Sequence, residues 1–186
     1  VILIIAMGAG LAAGADGISD RTLIRMSPMA CAPKIDGRVS REEMRACSVS
    51  YGAVSRQSGL LALRHVVFHF GYTSEGFYFA VRASRPVPPQ KYTDADRTTL
   101  HLLPPGARKP VRVDVPLAEG TVLKGVHEYG VECVEVERLF RYAALGVKPP
   151  RDGEKWGLQV AVRFRNKDET GYWHWTKANP SELGTF

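Results

Sequence analysis

Trp173 and Trp175 stand two residues apart near the end of this chain, and in an extended strand that spacing puts both indoles on one face. An indole offers a flat apolar plate with a single N–H donor at its rim, which suits stacking on a ligand better than bond making. Either one of the two contacts a ligand, or both plug an end of the fold. The residues that usually carry catalysis are poorly arranged by comparison. None of the five histidines forms an HExxH pair, and His65 and His69, four apart, fall in a strand-like run where that spacing does not converge on a metal as it would on a helix. Cys31, Cys47 and Cys133 form no CxxC site, and no Ser–His or Cys–His motif is present. An odd cysteine count leaves at least one thiol unpaired if the chain is oxidised. Cys31 with Cys47 is the pairing to expect in that case, and three small buried residues the alternative. Binding is therefore expected, and an enzyme is not.

The whole composition agrees with an ordinary folded domain. With 186 residues, 45% of them hydrophobic, the chain can bury a core without metals or a disulfide lattice. Its 25 basic and 19 acidic residues give a net charge of +6, and the basic ones are dispersed, with no run resembling a nucleic-acid-binding arm. Nucleic acid is not an expected partner. Residues 1–15 carry no charge and end in Ala13-Gly14-Ala15, a pattern like the apolar core and cleavage site of a secretory leader; the other reading of the same run is a buried strand or helix. Asp16 interrupts the run too early for a membrane span. Export to the periplasm, the cell surface or the medium is the expectation that follows.

The elements that must position the aromatic pair are strands. Arg64–Tyr72 and Gly76–Arg82 are rich in aromatic and β-branched residues around a four-residue link, and so predict an antiparallel hairpin. Further strands are expected over 21–29, 98–103, 112–115, 131–136, 157–164 and 171–176, separated by Pro- and Gly-bearing turns. In 131–136, Val131 and Cys133 would share one face and Glu132, Val134 and Val136 the other. In 157–164, Leu158, Val160, Val162 and Phe164 would face the core, leaving Gln159, Ala161 and Arg163 outward or into a groove. Residues 54–59 read as a loop. Ser40 with Glu43 is a capping box that starts a short helix, and a helical turn is expected within 137–145. Seven to nine short strands with no crossover helices predict an all-β antiparallel sandwich, jelly-roll or immunoglobulin-like, with one or two helical turns.

The ordered pieces Pro33-Lys34-Ile35-Asp36-Gly37, Gly76-Phe77-Tyr78-Phe79-Ala80-Val81, Asp96 opening a strand, a Val-Glu-Val strand, Asp152-Gly153 before Trp156-Gly157, and Asn179-Pro180-Ser181-Glu182-Leu183-Gly184 resemble carbohydrate-binding module family 9 and its DOMON-related group over residues 21–186. The resemblance implies a non-catalytic domain, joined to further domains in its parent protein, that binds glycan chain ends or short oligosaccharides. Sugar faces present C–H groups to an indole plane, and their hydroxyls need fixed planar polar partners. Trp175 fills the family's second aromatic position and Trp173 shares its face. Arg112, Gln159 and Asn179 match polar contact positions, and Tyr92 is the residue nearest the first aromatic plate. This chain departs from the family at Asp96-Arg97-Thr98-Thr99, where Asp-x-x-Glu is common, so one carboxylate is missing. No cofactor is expected; related modules would allow calcium at Asp36, Asp94 and Asp96. The DOMON side of the resemblance offers a second reading, a haem electron-transfer sandwich with Met44 and His101 as candidate ligands. A spacer without ligand is the third. Trp156, after a Gly-containing turn, is expected in the core.

Overall fold

A computed structural model of the chain describes residues 3–8, 21–26, 28–30, 32–55, 64–85, 91–123, 132–151, 153–164 and 169–172. Trp173, Trp175, Asn179 and Cys31 lie outside the described residues. Among those described are twelve strands: β1 (Leu3–Gly8), β2 (Arg21–Met26), β3 (Ser48–Tyr51), β4 (Val54–Ser55), β5 (Val66–Tyr72), β6 (Gly76–Ser84), β7 (Arg97–Leu103), β8 (Val111–Pro116), β9 (Thr121–Leu123), β10 (Cys133–Arg141), β11 (Lys155–Phe164) and β12 (Glu169–Tyr172). Two short helices, α1 (Arg41–Ala46) and α2 (Tyr142–Leu145), complete them with a 3₁₀ turn at Leu117–Glu119.

The strands form two sheets. In the first, β11 is the centre: β7 runs along one edge of it and β8 pairs beyond β7. The other edge is shared by β1, parallel near the start of β11, and β12, antiparallel near its end, with β2 and β4 outside them. The second sheet has the order β3-β5-β6-β10-β9, antiparallel throughout. The inward residues of both sheets belong to one core: Val66, Phe68, Phe70 and Tyr72 of β5, Phe77, Phe79 and Val81 of β6, Leu100 and Leu102 of β7, Val134 and Val136 of β10, and Trp156, Leu158, Val160, Val162 and Phe164 of β11. Phe68, Phe70 and Phe79 stack at centroid separations of 5.7 to 6.3 Å. Each such ring contributes about 1.5–3 kcal/mol by burial alone. This is the expected all-β sandwich with its two short helices, and Trp156 is core as expected, with its Nε1–H donating to Glu154 Oε2 at 3.4 Å.

Several boundaries differ from the sequence reading. The strand expected to stop at Val136 continues to Arg141, so only Tyr142–Leu145 is helical. β10 stays extended because its full length pairs with β6, from Cys133 opposite Ser84 to Arg141 opposite Gly76. Val54–Ser55, expected in a loop, pairs with β12. Leu3–Gly8, inside the leader-like run, is strand β1 between β2 and β11. Cys133 is a buried thiol.

The outside of the second sheet is covered. The segment from Pro28 through α1 crosses it, packing Met29, Val39 and Met44 on Tyr78, Ala80 and Leu139. Three buried glutamates fasten this strap. Glu137 accepts from Tyr78 Oη at 2.5 Å and from the Gly37 amide at 3.1 Å. Glu135 accepts from the Val39 amide at 3.2 Å and from Arg82 at 2.7 Å. Glu43 accepts from the Lys34 and Ser40 amides, each at 2.7 Å, and Ser40 caps α1 in return.

Candidate functional site

Antiparallel pairing brings residues from three strands into one row on the outer face of the first sheet. His101 of β7 lies opposite Arg112 of β8 on one side and opposite Gln159 of β11 on the other. Paired residues share a face, so the three side chains lie side by side, about 5 Å apart at Cβ. The alternation of β7, with Thr98, Leu100 and Leu102 buried, is what turns His101 and Thr99 outward. The next row holds Asp114, Thr99 and Ala161, with Tyr172 at the register position beyond.

Electrostatics tie the two rows together. Asp114 accepts from Thr99 Oγ1 at 2.5 Å and from Arg112 at 3.0 Å. Partial burial works against its charge, but the Thr99 hydroxyl, the Arg112 guanidinium and the charge of Arg97 prevail and hold its carboxyl below the usual aspartate range. Arg112 is thereby fixed in direction while remaining exposed. Burial, reinforced by Arg112 and opposed by Asp114, pushes the His101 imidazole below its ordinary value, so it is neutral at pH 7. Its Nδ1 is buried and has no hydrogen-bond partner. A neutral imidazole can accept at one nitrogen and donate at the other, and this one does neither within the protein.

The row is not where sequence alone placed every residue. Arg112 is exposed, as an outward strand residue should be. Gln159 does face away from the core, but it is only 1% exposed and forms the inner end of the row. His101 was singled out only as a haem ligand, although the pattern Thr-Thr-Leu-His-Leu-Leu already put it on the outward face with Arg97 and Thr99. Tyr92 is not on this face: its ring stacks on Phe164 at 5.9 Å, and its hydroxyl donates to the Ser84 carbonyl at 2.6 Å. Burial pushes that hydroxyl up to about 12. It props the end of the sandwich and is not an open plate. Two of the hollows in the surface, of about 480 Å³ beside Pro104–Ala107 and Gly146–Pro149 and about 190 Å³ beside Tyr92 and Leu117, contain no member of the row.

No protein-family model matches the chain, and no curated protein matches it. Solved structures do. A carbohydrate-binding module of family 9 from Caldicellulosiruptor kristjanssonii, solved with cellotriose, superposes with a TM-score of 0.52 at 14% identity, covering 81% of this chain and 86% of that one. A structure of a family 9 module from the same organism, solved with glucose, gives a TM-score of 0.54 at 15% identity over 84% and 90%. The fold is that of the family 9 modules.

On this family 9 fold the haem alternative loses its ligand pair. Met44, on α1, packs against the outside of the second sheet, and His101 lies on the outside of the first, so the two cannot meet at one iron. Of the calcium candidates, Asp94 and Asp96 share the loop before β7 and Asp36 lies apart from them. Asp36 pairs with Lys34 at 3.2 Å beside the second sheet, whereas Asp96 opens β7 and accepts from the Thr93 amide at 2.7 Å. Among the described residues no group of three His, Cys, Asp or Glu side chains is placed to hold a metal ion.

Proposed function

We propose that this chain is a non-catalytic carbohydrate-binding domain that takes glycan chain ends or short oligosaccharides on the outer face of its first sheet. The polar contacts are Arg112, His101 and Gln159, with Asn179 a further one, and Trp175 with Trp173 supplies the aromatic platform. The carrying observation is the register that sets His101 between Arg112 and Gln159 on one outer face, with Arg112 exposed. A sugar hydroxyl is both donor and acceptor, so it can accept from the Arg112 fork and donate to a neighbouring acceptor. Among the described residues no pair of carboxylates faces across this row, as a glycosidase would need. Such a domain serves outside the cytoplasm, in the periplasm, at the cell surface or in the medium, joined to other domains whose activity it brings to a glycan. Among the described residues no helix is long and apolar enough to cross a membrane.

A glycan array probed with the whole chain tests this reading, followed by Trp175→Ala and His101→Ala on the best ligand. Loss of a stacked indole weakens retention about tenfold or more, with the unfolding temperature unchanged. Retention equal to the wild type in both variants would remove the site from this face, and an array without hits would leave a structural spacer.

A further inference from the structure

Arg112 and Asp114 alternate outward along β8 and pair at the surface, their side chains 58% and 37% exposed. An exposed ion pair adds little to the stability of a fold. This one is nevertheless held in a fixed geometry. The register of β7 with β8 sets Thr99 opposite Asp114, and Asp114 Oδ1 accepts from the Thr99 hydroxyl at 2.5 Å. The same oxygen accepts from Arg112 Nε at 3.4 Å and Nη2 at 3.3 Å, while Oδ2 accepts from Nη2 at 3.0 Å. Among the described residues Oδ2 takes no other donor and Arg112 Nη1 has no acceptor. A carboxylate offers about four lone-pair sites and a guanidinium five N–H donors, so both groups keep capacity for a ligand. Despite partial burial, Thr99 and Arg112 hold the Asp114 carboxyl below the usual aspartate range, and it is ionised at pH 7. The carboxylate absent at Thr99 is present one strand over.

We propose that Arg112 and Asp114 read two hydroxyls on adjacent carbons of one sugar ring, Arg112 donating to the first and Asp114 Oδ2 accepting from the second, with Thr99 the positioning residue that aims the carboxylate. This rests on the sugar-binding reading above, in which Asp114 takes no part. A hydroxyl that accepts from a guanidinium still carries a proton of its own, and Arg112 has no acceptor to give it. Asp114 supplies one beside it. The fork and the carboxylate lie edge to edge, Nη2 3.0 Å from Oδ2, so a donor and an acceptor stand side by side as the oxygens on adjacent ring carbons do. A lone hydroxyl uses half of this arrangement, and hydroxyls separated by a further carbon are too far apart to use both halves. Both hydrogen bonds involve an ionised partner and are stronger than neutral ones. The ligand class selected is a saccharide with a free vicinal diol.

Calorimetry with glucose, its 2-, 3- and 4-deoxy analogues and cellotriose tests this in the wild type, Asp114→Ala, Arg112→Ala and Thr99→Val. Two of the deoxy sugars, those lacking oxygens on adjacent carbons, are expected to bind the wild type about tenfold or more weaker than glucose does. Asp114→Ala erases the penalty for one of the two, and Arg112→Ala erases it for the other. Thr99→Val weakens glucose by a smaller factor, roughly threefold, and leaves both penalties in place. If Asp114 merely steered Arg112, the two alanine variants would erase the same penalty, and that result overturns the proposal. Wild-type affinity for glucose in Asp114→Ala overturns it too. Should the alanine variant not fold, Asp114→Asn keeps the shape, removes the charge and is read in the same way. Binding of neither glucose nor cellotriose to the wild type also overturns the proposal, and the sugar site falls with it only where the glycan array has no hits.

Discussion

His69 carries a cost that its surroundings do not repay. It sits in register between Val49 and Ala80 on the outside of the second sheet, 3% exposed, with neither ring nitrogen hydrogen-bonded. Burial, and then the charge of Arg82, bring its pKa down to about 4. A histidine whose folded pKa lies below its unfolded one stabilises the fold above pH 6.5 and loses that contribution as the pH falls toward 4; the size is about 3 kcal/mol. Nearby Glu135 and Glu137 act in the opposite sense, because burial pushes both carboxyls up and acid relieves them. We therefore expect His69→Leu to lose less stability than the wild type between pH 7 and pH 4, by about 3 kcal/mol in chemical denaturation. Parallel pH profiles would contradict this. Burial of this kind was not legible in the sequence: alternation shows which face a strand residue takes, but not what overlies that face. The same gap explains Gln159, whose direction was read correctly and whose burial was not, and Tyr92, whose ring found Phe164 across loops that no local pattern connects.

At the scale of elements, the hairpin of β5 and β6 was the most legible part, because aromatic and β-branched runs flanked a turn-forming link. Thr73 shapes that turn by accepting from the Glu75 and Gly76 amides, each at 3.1 Å. Gly76 is also pressed against the neighbouring strand: a Cβ there would lie 2.6 Å from the Phe140 carbonyl oxygen. Backbone cannot yield as a side-chain tip can, so Gly76→Ala should cost about 1–3 kcal/mol, read as a lower urea midpoint. The N-terminal run was legible as apolar and no further, since a leader and an interior strand draw on the same residues. As β1 it joins β2 to β11. A chain beginning at Asp16 is accordingly expected to melt roughly 5 °C or more below the full chain. An unchanged melting temperature would mean that β1 adds nothing to the fold and that the run is removable. The capping box at Ser40 was read correctly, but its Glu43 also reaches the Lys34 amide, and that second use depends on the strap lying across the sheet.

For the molecule as a whole, two stacked sheets leave two outer faces, and the strap closes one of them with the buried Glu43, Glu135 and Glu137. The proposed polar row lies on the other. Strand alternation and turn chemistry made the sandwich legible, whereas the site was legible only in pieces: Arg112 and Gln159 came from a resemblance, and His101 joined them only when the registers of β7 with β8 and of β7 with β11 were known. A row across three strands has no signature in a linear sequence, because its members lie 11 and 58 positions apart and are aligned by pairing alone. The most direct measurement of the central claim is the imidazole nitrogen spectrum of the uniformly labelled chain during titration with the best soluble saccharide, with His101 assigned by the His101→Asn variant. The account predicts that the His101 nitrogens shift saturably as the saccharide binds while those of His69 stay fixed. A saccharide that binds without moving His101, or a His101 signal indifferent to every saccharide tried, would contradict it.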